Sequence, residues 1–166
     1  MPDTVNGIPL HPLVVHAVVV LLPLACLGVV AIAVRTSWRA RYGGVVVALA
    51  ALATVAVPIA TSSGESLERS VGSPGEHAEL GDSLLWFAAP LLVAAVALYL
   101  LHRRAVAGAS GTDAGPAARH SPLMLAVMAF AVVIALANLV QVYRVGDSGA
   151  RAVWQGTTSR APAKSR

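Results

Sequence analysis

The sequence predicts an all-α protein, a bundle of four transmembrane helices connected up-down-up-down. Three observations point there. Apolar residues make up 57% of the chain and charged residues 12%, with a mean hydropathy of +0.72. Soluble domains carry roughly a quarter charged residues, and a chain of 166 residues encloses too little interior to hide this much apolar surface from water. Four apolar runs, 13–34, 43–61, 84–101 and 122–142, hold 18 to 22 residues each and no Lys, Arg, Asp or Glu. About 20 such residues cross a ~30 Å hydrocarbon core. None of the runs has the polar stripe of a soluble amphipathic helix or the period-2 alternation of a strand.

Each helix has local chemistry at its boundary. Helix 1, expected over 12–34, opens at His11-Pro12, where the missing proline N–H costs nothing in a first turn. Helix 2 is expected over 43–62. Helix 3 is expected over 74–101, because Ser73-Pro74-Gly75-Glu76 reads as a Ser cap, Pro at the first position and Glu at the third. Ser121-Pro122 opens helix 4, expected over 122–143, in the same way. Pro23, Pro58 and Pro90 fall inside helices 1, 2 and 3 and should kink them. Residues 1–154 then form a single four-span domain. The Gly/Ala/Ser-rich stretch after Arg103-Arg104 reads as a flexible loop, and 155–166 as a disordered basic tail. No internal repeat stands out.

Several classes of function find no footing. The formal charge is +4, but the basic residues cluster beside apolar runs as orientation signals, so no nucleic-acid surface is expected. Cys26 is the single cysteine, mid-run, which excludes an internal disulfide and any CxxC motif. It reads as a small core hydrophobe. The first twelve residues contain no Lys or Arg, and the following run is too long for a signal-peptide core, so helix 1 is expected to remain. No nucleophile–base arrangement supports an enzyme. A transporter lacks an intramembrane charge pathway.

Orientation rests on arginine. Arg35, Arg39 and Arg41 follow helix 1 and Arg103, Arg104 and Arg119 follow helix 3. Arg69, Arg144, Arg151, Arg160, Lys164 and Arg166 lie on the other side, six against six. Helix 1 breaks the tie, with no basic residue before it and three after. Both termini are therefore expected outside a cell membrane. Trp38, Tyr42 and Tyr99 should mark one interface; Trp86, Tyr143 and Trp154 should mark the other.

The same connectivity gathers polar residues on the outer face: His11, His16, Thr61, Ser62, Glu65, Glu76, His77, Asp82, Asn138 and Gln141. His16 lies within the apolar run, and hydrogen bonding to Asn138 or Gln141 would tie helix 1 to helix 4. Glu76, Glu79 and Asp82 recur every three residues, which fits a solvated first-turn face. His77 falls on a neighbouring face and can point inward. His102 and His120 flank the other loop beside arginines and read as interface residues.

Four segments also resemble a known family. They are His11-Pro12-Leu13-Val14-Val15-His16, Gly64-Glu65-Ser66-Leu67-Glu68, Glu76-His77-Ala78-Glu79-Leu80-Gly81 and 146–154, which reads GDSGARAVW. Together they resemble the bacterial membrane family called domain of unknown function 2231, over about residues 8–154, with HPxxVH the most specific piece. The resemblance implies a four-span membrane protein without an established activity. Members of that family often carry His where this chain has Asp147.

Two functions follow from different classes. The first is a structural or partner-binding membrane module, its polar groups locking helices together, with the lipid bilayer as its surroundings and a protein partner or homo-oligomer open. The alternative is a metal ion or haem held by outer-face histidines, since imidazole is the commonest metal ligand. At about 1.5 Å per residue, His16 and His77 differ in depth by roughly 15 Å, whereas His11 and His77 differ by only about 7 Å. A rim metal site would therefore use His11 and His77 with Glu65 or Glu76, and the haem version would use His16. Cofactor identity stays open on the sequence.

Overall fold

The structure, a computed structural model, describes residues 4–5, 8–72, 75–108 and 121–158. Two two-residue strands, β1 (Thr4–Val5) and β2 (Ile8–Pro9), pair antiparallel with Val5 opposite Ile8. The rest is helix: α1 (Leu10–Val34), α2 (Thr36–Val71), α3 (Glu76–Ser83), α4 (Leu85–Gly108) and α5 (Pro122–Thr158). Four spans within them, α3 and α4 counting as one, are long and apolar enough to cross a membrane. Only 39%, 33%, 33% and 22% of their most apolar windows is buried inside the bundle. Large apolar side chains such as Val20, Leu27, Val133 and Val140 face outward instead, so lipid has to cover them.

Hydrogen bonds fix how the spans lie. His11 at the start of α1 meets Ala60 late in α2, and Thr54 in α2 meets Ala88 early in α4. Asn138, midway along α5, meets Phe87 early in α4. Each pair sets the first turns of one span against the middle or later part of its neighbour. Around the bundle the order is α1, α2, α4, α5, with α5 returning to α1. The shared core is rich in alanine: Ala25, Ala53, Ala88, Ala95, Ala131 and Ala135 have no exposed surface. Small side chains let helices approach closely where lipid supplies no hydrophobic drive between them. Cys26 packs among them as a buried free thiol.

The helices outrun the apolar segments, because hydropathy marks the slab and not the end of the hydrogen-bond ladder. α2 starts at Thr36 and has 36 residues, α5 has 37; each is about 55 Å long. α5 continues to Thr158, past the expected boundary at 143, and residues 159–166 of the expected tail lie outside the described residues. The third span starts at Glu76, two residues later than expected, because Gly75 adopts φ +60° and precedes the first helical residue. Ser73 and Pro74 lie outside the described residues. Leu84 then tightens one turn, its N–H reaching Gly81 O at 3.1 Å, before α4 continues. Ser121 caps α5 as expected, accepting the Met124 N–H at 3.2 Å.

Arg39 corrects the sequence reading. Expected in a loop, it lies within α2 and is almost wholly buried, since Arg35 alone separates α1 from α2. Its Nε–H donates to Ile32 O and its Nη2–H to Ala33 O, both at 2.8 Å, and Nη1 reaches Met124 Sδ at 3.2 Å. The last carbonyls of α1 lack helical partners, and the guanidinium fork supplies them. Around this end the interfacial aromatics carry cations. Arg35 lies 5.2 Å from the Trp38 ring, Arg41 5.5 Å from Tyr42 and Arg103 5.8 Å from Tyr99.

Candidate functional site

At the opposite end, where α1 and α3 begin and α2 and α5 end, the bundle encloses a cleft of about 510 Å³. Its floor is apolar, from Val15, Val18, Val57, Leu84 and Val142. His11, Glu65, Glu68, His77 and Asp82 provide its polar walls. The cleft is built around two joints of the same design.

In the first joint, His11 Nδ1 lies 3.0 Å from Ala60 O and 3.2 Å from Ser63 Oγ. A carbonyl only accepts, so Nδ1 carries a proton, and in the neutral ring Nε2 keeps its lone pair. Ser63 Oγ donates to the same Ala60 carbonyl at 2.8 Å. Gly64 makes the approach possible, because a Cβ there would sit 3.0 Å from His11 Cε1. In the second joint, His77 Nδ1 lies 3.0 Å from Val145 O and 3.3 Å from Ser148 Oγ, and Ser148 Oγ donates to Val145 O at 2.9 Å. A Cβ on Gly149 would sit 3.0 Å from His77 Cε1. Each joint therefore comprises a histidine from one helix, a carbonyl, the serine three residues on and the glycine after it. One joins α1 to α2 and the other joins α3 to α5, across the bundle from each other.

This duplication escaped the sequence reading. The two joints share only His and Ser-Gly, separated by different lengths of chain, and a two-residue match inside Ala-rich helices has no statistical weight. The signal was the Ser-Gly dipeptide at 63–64 and again at 148–149.

Asn138 and Gln141 also lock helices, but not to α1. Gln141 Nε2 donates to Ser83 Oγ at 2.7 Å and Leu80 O at 3.2 Å. Asn138 Nδ2 donates to Phe87 O and Ile134 O, both at 2.8 Å, and its buried Oδ1 has no partner. The expected bond from His16 is absent. His16 is exposed and its Nδ1 lies 2.5 Å from the Pro12 carbonyl of its own turn. Five residues separate it from His11, about 140° round the helix, so one histidine faces the cleft and the other faces away.

The rim metal set is not assembled either. His11, His77 and Glu65 line the cleft, but Glu76 is exposed outside the lining. Among the described residues no three His, Cys, Asp or Glu side chains converge on a point that would hold a metal ion. The metal and haem readings thus gain no support. His102 is half-buried at the other end, and His120 lies outside the described residues. On α5, Asp147 and Arg151 form an exposed ion pair at 2.7 Å, an arrangement worth little in water.

The family follows from how much of this chain one family model accounts for. A model described as Predicted membrane protein (DUF2231) matches residues 7–162, nearly the whole chain and both joints. The chain belongs to that family. No curated protein and no solved structure matches it. As a DUF2231 member it is a membrane protein with four apolar spans, and the family description carries no activity.

Proposed function

We infer that this DUF2231 protein is a structural or partner-binding four-helix membrane module. The observation that carries the reading is how its inward polar side chains are used. His11, His77, Asn138 and Gln141 each hydrogen-bond a main-chain carbonyl of a different helix, and Gln141 donates to the Ser83 hydroxyl as well. Groups so engaged fasten the bundle and hold one end of it in a defined shape, which is what a binding surface needs. His11→Ala and His77→Ala should each lower the melting temperature of the purified protein by several degrees. Unchanged melting in both variants would remove the reading.

We propose that the module lies in the cell membrane with both termini outside, a reading supported by Arg35, Arg39 and Arg41, which follow the first span.

A further inference from the structure

The cleft has a one-sided hydrogen-bonding chemistry. Its polar lining side chains among the described residues are His11, Thr61, Glu65, Glu68, His77 and Asp82. Thr61 Oγ1 donates to Pro58 O of its own helix at 3.2 Å. Both imidazoles donate through Nδ1 to their joints and, as neutral rings, have Nε2 left as an acceptor. The remaining three are carboxylates. Among the described residues no Lys, Arg, Asn, Gln, Ser, Trp or Tyr side chain belongs to the lining. Among the described lining residues, the side chains available to a ligand are carboxylates and imidazole acceptors, and the three carboxylates make the rim acidic. Below this rim the cleft is walled by valine and leucine and reaches down α1 as far as Val19, about 12 Å past His11.

We propose that the cleft binds an amphiphilic primary amine, its ammonium group at the rim and its hydrocarbon chain along the apolar floor. An ammonium has three donors and no acceptor, the complement of this rim. An anionic amphiphile meets three carboxylates without a compensating cation. A neutral alcohol offers one donor and no charge. The depth orders the ligand as a lipid is ordered, polar group outward and chain inward. The cleft volume lies in the range of small-molecule sites. The proposal rests on the binding-module reading and specifies its ligand.

The test uses the full chain in a nonionic maltoside, with retention measured against protein-free micelles. Three probes share one tail: dodecylammonium, dodecanol and laurate. Saturable binding of about one dodecylammonium per chain is expected, at least tenfold tighter than dodecanol, with laurate weaker still. The Glu65→Gln/Glu68→Gln/Asp82→Asn variant should lose at least tenfold in dodecylammonium affinity. Arg104→Gln, exposed at the opposite end, should lose none. Laurate or dodecanol binding as tightly as the amine would overturn the proposal, as would an unaffected triple variant. So would absence of saturable amine binding. Melting of His11→Ala and His77→Ala is read separately: a normal drop there with no amine binding sinks the ligand and leaves the helix-fastening reading standing.

Discussion

Asn138 on α5 donates to the main-chain carbonyl of Phe87 on α4 at 2.8 Å, three residues before Pro90. The proline has no N–H for the carbonyl four residues earlier, and the turn before it is loosened. Thr54 on α2 donates to the next carbonyl, Ala88 O, at 3.3 Å. Neighbouring helices thus supply donors where the proline weakens the ladder, as spans in lipid require.

Asn138→Leu should therefore destabilise the bundle by about 0.6–1.7 kcal/mol, the scale of intramembrane hydrogen bonds. The loss should shrink in a Pro90→Ala background, where α4 closes its own ladder. Combined with His16→Leu the effects should add, because His16 faces away. A double-mutant cycle from reversible unfolding in mixed micelles measures both, and coupling to His16 would contradict the geometry.

Gly64→Ala and Gly149→Ala should each cost about 1–3 kcal/mol, the penalty of overpacking. Each new methyl would arrive 3.0 Å from an imidazole carbon. Gly81→Ala, with nothing within 4 Å of the added carbon, should be neutral or stabilising. Thermal melting of the three variants side by side separates the joints from ordinary helical glycines.

Arg39→Lys should fail to replace arginine, since an ammonium cannot reach two carbonyls and a thioether as the planar fork does. A loss of about 1.5–3 kcal/mol is expected for a charged hydrogen-bond donor. Arg35→Gln and Arg41→Gln, both exposed, should change stability by less than about 0.5 kcal/mol. Equal losses at all three positions would show that charge, not the buried fork, matters.

Orientation has its own readout. In a Cys26→Ala background, an impermeant thiol reagent applied to intact cells should label Arg69→Cys and spare Arg104→Cys, two exposed positions at opposite ends. Labelling of Arg104→Cys alone would invert the orientation.

The spans were legible because hydropathy reports the slab directly: none of the four runs carries a formal charge. Capping by Ser121 was legible for a local reason, a hydroxyl three residues before the N–H it accepts. Arg39 was not, since positive-inside counting treats every arginine near a span as solvated, and only the single-residue turn at Arg35 buries this one. His11 and His77 were singled out as candidate ligands, but their hydrogen-bond partners lie 49 and 68 residues away. Nothing local identifies a carbonyl at that distance. His16 misled because depth was inferred from sequence while azimuth was not.

The turn at Arg35 also sets how the first hairpin can move. One residue joins α1 to α2, and the Arg39 fork grips the end of α1 beside it. For any tilt of α1 against α2 about that end, the arm from Arg35 to His11 is about 36 Å long. A rotation of about 3° there swings the far tip by roughly 2 Å, enough to part a hydrogen bond. The His11 joint is thus a latch at the end of a long lever, sensitive to tilts that the alanine-lined middle of the bundle barely registers.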